Sequence, residues 1–139
     1  MKSKLFRIQE VVPEHIYNLR GEKAWELIDD RLIQTMDTLK TIFPEGSMTI
    51  NNWLWGGNRN WSGLRTPDSP DYSETSQHSS GRAFDCVFSD YDEATVRKFI
   101  IDNPQMFIHV TGIEDFDGMT WVHVDVRNTA DGGIRVFKG

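Results

Sequence analysis

The stretch that decides the fold reads Met106-Phe107-Ile108-His109-Val110-Thr111, passes through Glu114, Asp115, Asp117 and Gly118, and continues as Met119-Thr120-Trp121-Val122-His123-Val124-Asp125-Val126. Two short runs rich in β-branched and aromatic residues flank a polar turn that contains glycine, which is the pattern of a hairpin. In the second run Val122, Val124 and Val126 fall on one face, and Trp121, His123, Asp125 and Arg127 on the other, because strand side chains alternate with period two. Arg82 to Phe88, upstream, repeats the device, with Phe84, Cys86 and Phe88 on one face and Ala83, Asp85 and Val87 on the other. If the two strands are near neighbours in one sheet, their apolar faces close over a core. Asp85 and His123 then converge on the opposite, polar face.

Further out, Trp25, Ile28, Leu32, Met36, Leu39 and Phe43 recur at steps of three and four. They predict one amphipathic helix from about Glu22 to Ile42, stopped by Pro44 and Gly46. Asp90 and Glu93 read as the capping box of a second helix, from about Tyr91 to Asp102. Shorter strands are predicted at Leu5 to Val11, Met48 to Trp53 and, at an edge, Ile134 to Phe137, and Pro13 opens a turn or short helix that ends near Gly21. The segment from Asn52 to Asp71 is rich in Gly, Asn, Ser and Pro and fits no period, so it is loop. Loops of that length in small domains usually carry function or move. Helices set apart from consecutive strands predict an α+β fold: a small antiparallel sheet with helices packed on one side, in a single domain over residues 1–139.

Composition narrows the function classes. Fifteen Lys and Arg against 21 Asp and Glu give a net charge of −6, the wrong sign for a general nucleic-acid binder. No apolar run is long enough to span a membrane. The N-terminus, Met1 to Arg7, has no apolar stretch behind its charges and predicts no signal peptide, hence synthesis in the cytoplasm. The single cysteine, Cys86, allows no internal disulfide and reads as a small core residue. Aromatic residues make up 12% of the chain, and Trp53, Trp55 and Trp61 cluster in the long loop. They read first as core and loop anchors, and their position just before Arg65 also fits a binding wall.

His78, Asp85 and His123 are two imidazoles and a carboxylate, a set from which zinc draws its three protein ligands in catalytic sites. By residue type alone, a capping histidine and a surface aspartate are the commoner reading. The local sequence shifts the balance. Ser76-Gln77-His78-Ser79-Ser80-Gly81-Arg82-Ala83-Phe84-Asp85 has the form S-x-H-x-x-G-x-A-x-D, with Ser62-Gly63-Leu64-Arg65 before it and Trp121-Val122-His123-Val124-Asp125 after it. Together these stretches resemble the zinc D-Ala-D-Ala carboxypeptidases and L-alanyl-D-glutamate peptidases, which share a fold with the hedgehog signalling domain and include many phage endolysins. The resemblance covers about Ser62 to Arg127.

The resemblance implies a zinc peptidase that cleaves the peptide stem of peptidoglycan at the bacterial cell wall. His78, Asp85 and His123 would be its zinc ligands. Arg65 would hold a substrate carboxylate or the polarised carbonyl oxygen, Ser76 would brace the loop, and Trp121 would join both in contacting substrate. Several members of the family carry a glutamate base three residues before the last histidine ligand, where this chain has Thr120, and others carry a second histidine where it has Asp125. The proton carrier is therefore sought among Asp125, Asp117 and, after them, Glu114. Asp125 could instead orient a ligand from behind. The relation to hedgehog also leaves open a zinc-bearing module without catalysis, for instance in a phage particle.

Overall fold

Three α-helices, Glu14–Arg20 (α1), Asp30–Ile42 (α2) and Glu93–Asp102 (α3), are joined by five strands in the computed structural model, which describes residues 1–138. The strands are Met48–Thr49 (β1), Ala83–Phe88 (β2), Gly112–Glu114 (β3), Val122–Asp125 (β4) and Arg135–Phe137 (β5). They form one open sheet in the order β1-β2-β4-β3-β5. Every pairing is antiparallel except that of β5 with β3, which is parallel. The fold is α+β, and β5 makes the sheet mixed rather than wholly antiparallel.

Alternation works as expected in the two central strands. Phe84, Cys86, Val122 and Val124 are fully buried in one apolar cluster with Leu32, Ile33, Met36 and Leu39 of α2 and Val96 and Ile100 of α3. In register, Phe84 faces Val124 and Asp85 faces His123. The core thus occupies one side of the sheet, and the polar residues gather on the other.

Several predicted elements come out differently. The long helix breaks at Ile28, whose backbone is extended (φ −108°, ψ 128°), so Gly21–Leu27 is a 3₁₀ segment and α2 starts afresh. Asp29 caps the new start by accepting from Arg31 N, while its own N–H donates to Gly81 O. The apolar stripe survives the break, because Trp25, Ile28, Leu32, Met36, Leu39 and Phe43 are all buried. Helix α3 is capped by Asp92, which accepts from Thr95 N, and not by Asp90; Glu93 turns back to accept from Phe88 N.

The run Met106 to Thr111 is not a strand. Pro104–Met106 is a 3₁₀ turn, and Phe107 and Val110, three apart, are buried while Ile108 is 77% exposed. The strand lies further on, at Gly112–Glu114, so Glu114 sits in β3 and not in the turn. Leu5 to Val11 is not a strand either. The Ser3 hydroxyl accepts from Leu5 N and Phe6 N, and a 3₁₀ turn follows at Ile8–Glu10. The strand expected over Met48 to Trp53 stops at Thr49, where Asn51 turns inward to donate to Val12 O and accept from Ser62 N.

Candidate metal centre

The segment before β2 places the first histidine. Ser76, itself extended after the Ser73–Ser76 turn, accepts at its hydroxyl from His78 N at 3.2 Å, starting the 3₁₀ turn Gln77–Ser80. Gly81 closes that turn with φ +70°. A side chain there would be strained and would overlap the Leu27 carbonyl, so glycine is required. The chain then enters β2, which carries Asp85 on the polar face opposite His123 of β4.

These three side chains meet. His78 Nε2 lies 3.3 Å and His123 Nδ1 2.8 Å from Asp85 Oδ1, and the ligand atoms of the three all fall within 4.8 Å of one another. His78 and His123 are buried, and Asp85 is nearly so. Each imidazole is also held from behind. His78 Nδ1 lies 2.9 Å from Gly63 O, and His123 Nε2 lies 2.8 Å from Asp125 Oδ2. Both outer partners accept, so each outer nitrogen donates to its partner, and the inner nitrogen of each ring is the one aimed at Asp85. Outer-acceptor support of this kind is how metal-binding histidines are oriented. The structure therefore holds a buried His–Asp–His group that could bind a metal ion.

A second layer fixes the first. Asp125 is wholly buried, and Arg127 grips both of its oxygens, with Nε 2.7 Å from Oδ1 and Nη2 2.6 Å from Oδ2. Gly112, directly opposite Asp125 on β3, makes the room: any Cβ there would overlap the Asp125 carboxylate. The Arg127 guanidinium lies 4.5 Å over the Phe137 ring, and that ring also packs edge-on against His123.

The charges respond to this packing. Burial alone would raise the Asp85 carboxyl, but hydrogen bonds from His123 and His78 outweigh it and hold the group far below the usual range. Burial would likewise raise Asp125; Arg127 and His123 instead hold it at about 2. Burial would lower His123, yet hydrogen bonds to Asp125 and Asp85 push it up to about 9. Without a metal, His123 is an imidazolium between two carboxylates.

A cavity of about 680 Å³ opens onto the group. Arg65 lines it, with Nη2 3.2 Å from Asp85 Oδ2 and Nε donating to Trp61 O. Ser76 and Trp121 line it as well. The three sequence candidates for proton transfer are separated: Glu114 lines the cavity directly opposite His123, Asp125 is locked beneath the histidine, and Asp117 is exposed in the turn outside the lining.

Of the loop tryptophans only Trp61 lines this cavity; Trp53 is half-buried and donates to Val12 O, and Trp55 is 61% exposed. Sequence reasoning missed the supporting roles of Gly63, Gly112, Arg127 and Phe137. The i, i+2, i+4 spacing of His123, Asp125 and Arg127 on one strand face was the available signal for Arg127, whereas nothing local marks Phe137. No protein family, curated protein or solved structure matches the chain.

Proposed function

We propose that the chain is a zinc-dependent peptidase that hydrolyses an amide bond in the peptide stem of peptidoglycan, as a phage endolysin or a related cell-wall enzyme does. One observation carries this reading: His78 Nε2, Asp85 and His123 Nδ1 converge, each histidine braced from behind, on the floor of a cavity that also holds Arg65 and Glu114. Two imidazoles and one carboxylate suit zinc with a position left open, and they would hold it. Bound zinc polarises a scissile carbonyl and makes a water acidic at neutral pH.

The protein's own groups supply the rest. Arg65 is fixed by Trp61 O and Asp85 Oδ2 and has N–H donors to spare. It stabilises the negative charge that develops on the carbonyl oxygen, a task suited to a permanently charged fork. Glu114 accepts a proton from the attacking water and delivers it to the leaving amine nitrogen, so one water is consumed and an acid and an amine are released. Asp125 acts through His123, keeping the proton on Nε2 and the ring in place.

Mass spectrometry of peptidoglycan stem fragments after incubation with the zinc-loaded protein tests the reading. New fragments that differ by one hydrolysed amide are expected, and they identify the bond. Intact stems at full zinc occupancy would overturn it in favour of a zinc-bearing structural module.

A further inference from the structure

Three guanidinium groups line the cavity above the His–Asp–His group: Arg59, Arg65 and Arg127. Two are committed. Arg65 pairs with Asp85, and Arg127 grips Asp125 through two nitrogens. Arg59 differs. Its Nε donates to Ile50 O at 3.0 Å, and no carboxylate of the described residues pairs with it. Both terminal nitrogens are left without a partner among the described residues.

Arg59 is also well held. Asn52 N donates to Arg59 O at 3.0 Å, Arg59 N donates to Asn52 Oδ1 at 2.8 Å, and Gly57 N donates to Asn52 O. These bonds close the loop from Asn52 to Arg59 into a small ring. With the backbone pinned by that ring and Nε pinned by Ile50, little freedom is left to lose on binding. A half-buried guanidinium fixed in a cavity wall through its Nε, with both Nη groups open, presents one edge for bidentate contact with a carboxylate.

We infer that Arg59, rather than Arg65, binds a free carboxylate of the ligand, so that the cavity selects peptides with an ionised carboxyl close to the bond that reaches the His–Asp–His group. This deepens the peptidase reading and rests on it for the identity of the peptide. The carboxylate has two sources in a peptide stem: the C-terminus, or the α-carboxyl of a glutamate linked through its γ-carbon. Arg65, tied to Asp85, is left for the carbonyl oxygen.

The test is calorimetry on the zinc-loaded full chain with two matched pairs of ligands. N-acetyl-D-alanine against its amide probes a terminal carboxylate. N-acetyl-D-glutamate γ-methylamide against its α-amide probes the γ-linked case. In at least one pair the acid should bind more tightly than the amide, and the pair that shows the gap names the source. Arg59→Gln should shrink that gap by about 10- to 100-fold, the loss of one charge-assisted pair, while leaving affinity for the amide and zinc content unchanged. Arg59→Lys, which keeps the charge but not the fork, should restore part of it. This second variant also guards against a general disturbance of the loop, since a collapsed loop would lower the affinity of acid and amide alike. A gap that survives Arg59→Gln, or no gap in either pair, would overturn the inference. The measurement needs no turnover. An inactive protein with an Arg59-dependent gap would sink the peptidase reading alone, and an active one without the gap would sink this inference alone.

Discussion

His123 is the residue on which the chemistry turns. In the metal-free protein it stays protonated up to about 9, because Asp85 and Asp125 sit against its two nitrogens. Its folded value lies above the ordinary 6.5, so the pairing stabilises the fold fully below 6.5 and is lost as pH rises through about 9. A metal needs the neutral ring, so zinc uptake must expel a proton. Zinc affinity should therefore climb about tenfold per pH unit and level off near 9, which a competition titration against a chelator dye will read. An affinity flat across that range would mean His123 is not a ligand. Behind it, Asp125→Asn should weaken zinc binding by about 10- to 100-fold. Gly112→Ala should do the same without removing any polar group, because its methyl group must displace the Asp125 carboxylate. Glu114→Gln should keep zinc and fold while the hydrolytic rate falls by about 10²–10⁴-fold; a wild-type rate would remove Glu114 as the proton carrier.

At the scale of elements, the two central strands were legible because period two is a strong signal when one face is wholly apolar, as with Phe84 and Cys86 against Val122 and Val124. The motif residues Ser76, His78, Gly81 and Asp85 were legible only through the family resemblance, because by residue type and spacing alone a capping histidine and a surface aspartate are the commoner reading. What failed was apolar sequence without long-range context. Phe107 and Val110 are buried from a turn, three apart, and Ile108 between them looks outward, although the run reads as alternation. The break at Ile28 was invisible because the partner that stabilises it, Gly81, lies far along the chain. Asp29 joins the two: it caps α2, binds Arg31, and lies 3.5 Å from Arg82 beside the His78 turn. Asp29→Ala should cost about 1 kcal/mol of stability, the usual worth of a cap. Hydrogen bonding to Arg31 holds the Asp29 carboxyl below its ordinary 3.8, so its contribution is present above that pH and fades as the solution is acidified below it. Thermal unfolding of wild type and Asp29→Ala should therefore differ at neutral pH and converge in acid. A constant difference would mean the cap acts without its charge.

The whole molecule uses the sheet as a partition. One side is the apolar core shared with α2 and α3; the other carries the His–Asp–His group, roofed at one edge by Phe137 and walled by the long loop that supplies Arg59, Trp61 and Arg65. The candidate ligands come from the turn before β2, from β2 and from β4, so the group exists only in the folded chain. Anything that binds it must stabilise the fold, by about 2.7 kcal/mol at a hundredfold excess over Kd. A melting temperature that rises with added zinc in wild type but not in His78→Ala is the expected signature. The most direct measurement of the central claim is the zinc content of dialysed protein, for wild type and for His123→Ala. The account predicts about one zinc per wild-type chain and its loss from the variant. No retained zinc in wild type, or full occupancy in His123→Ala, would contradict it.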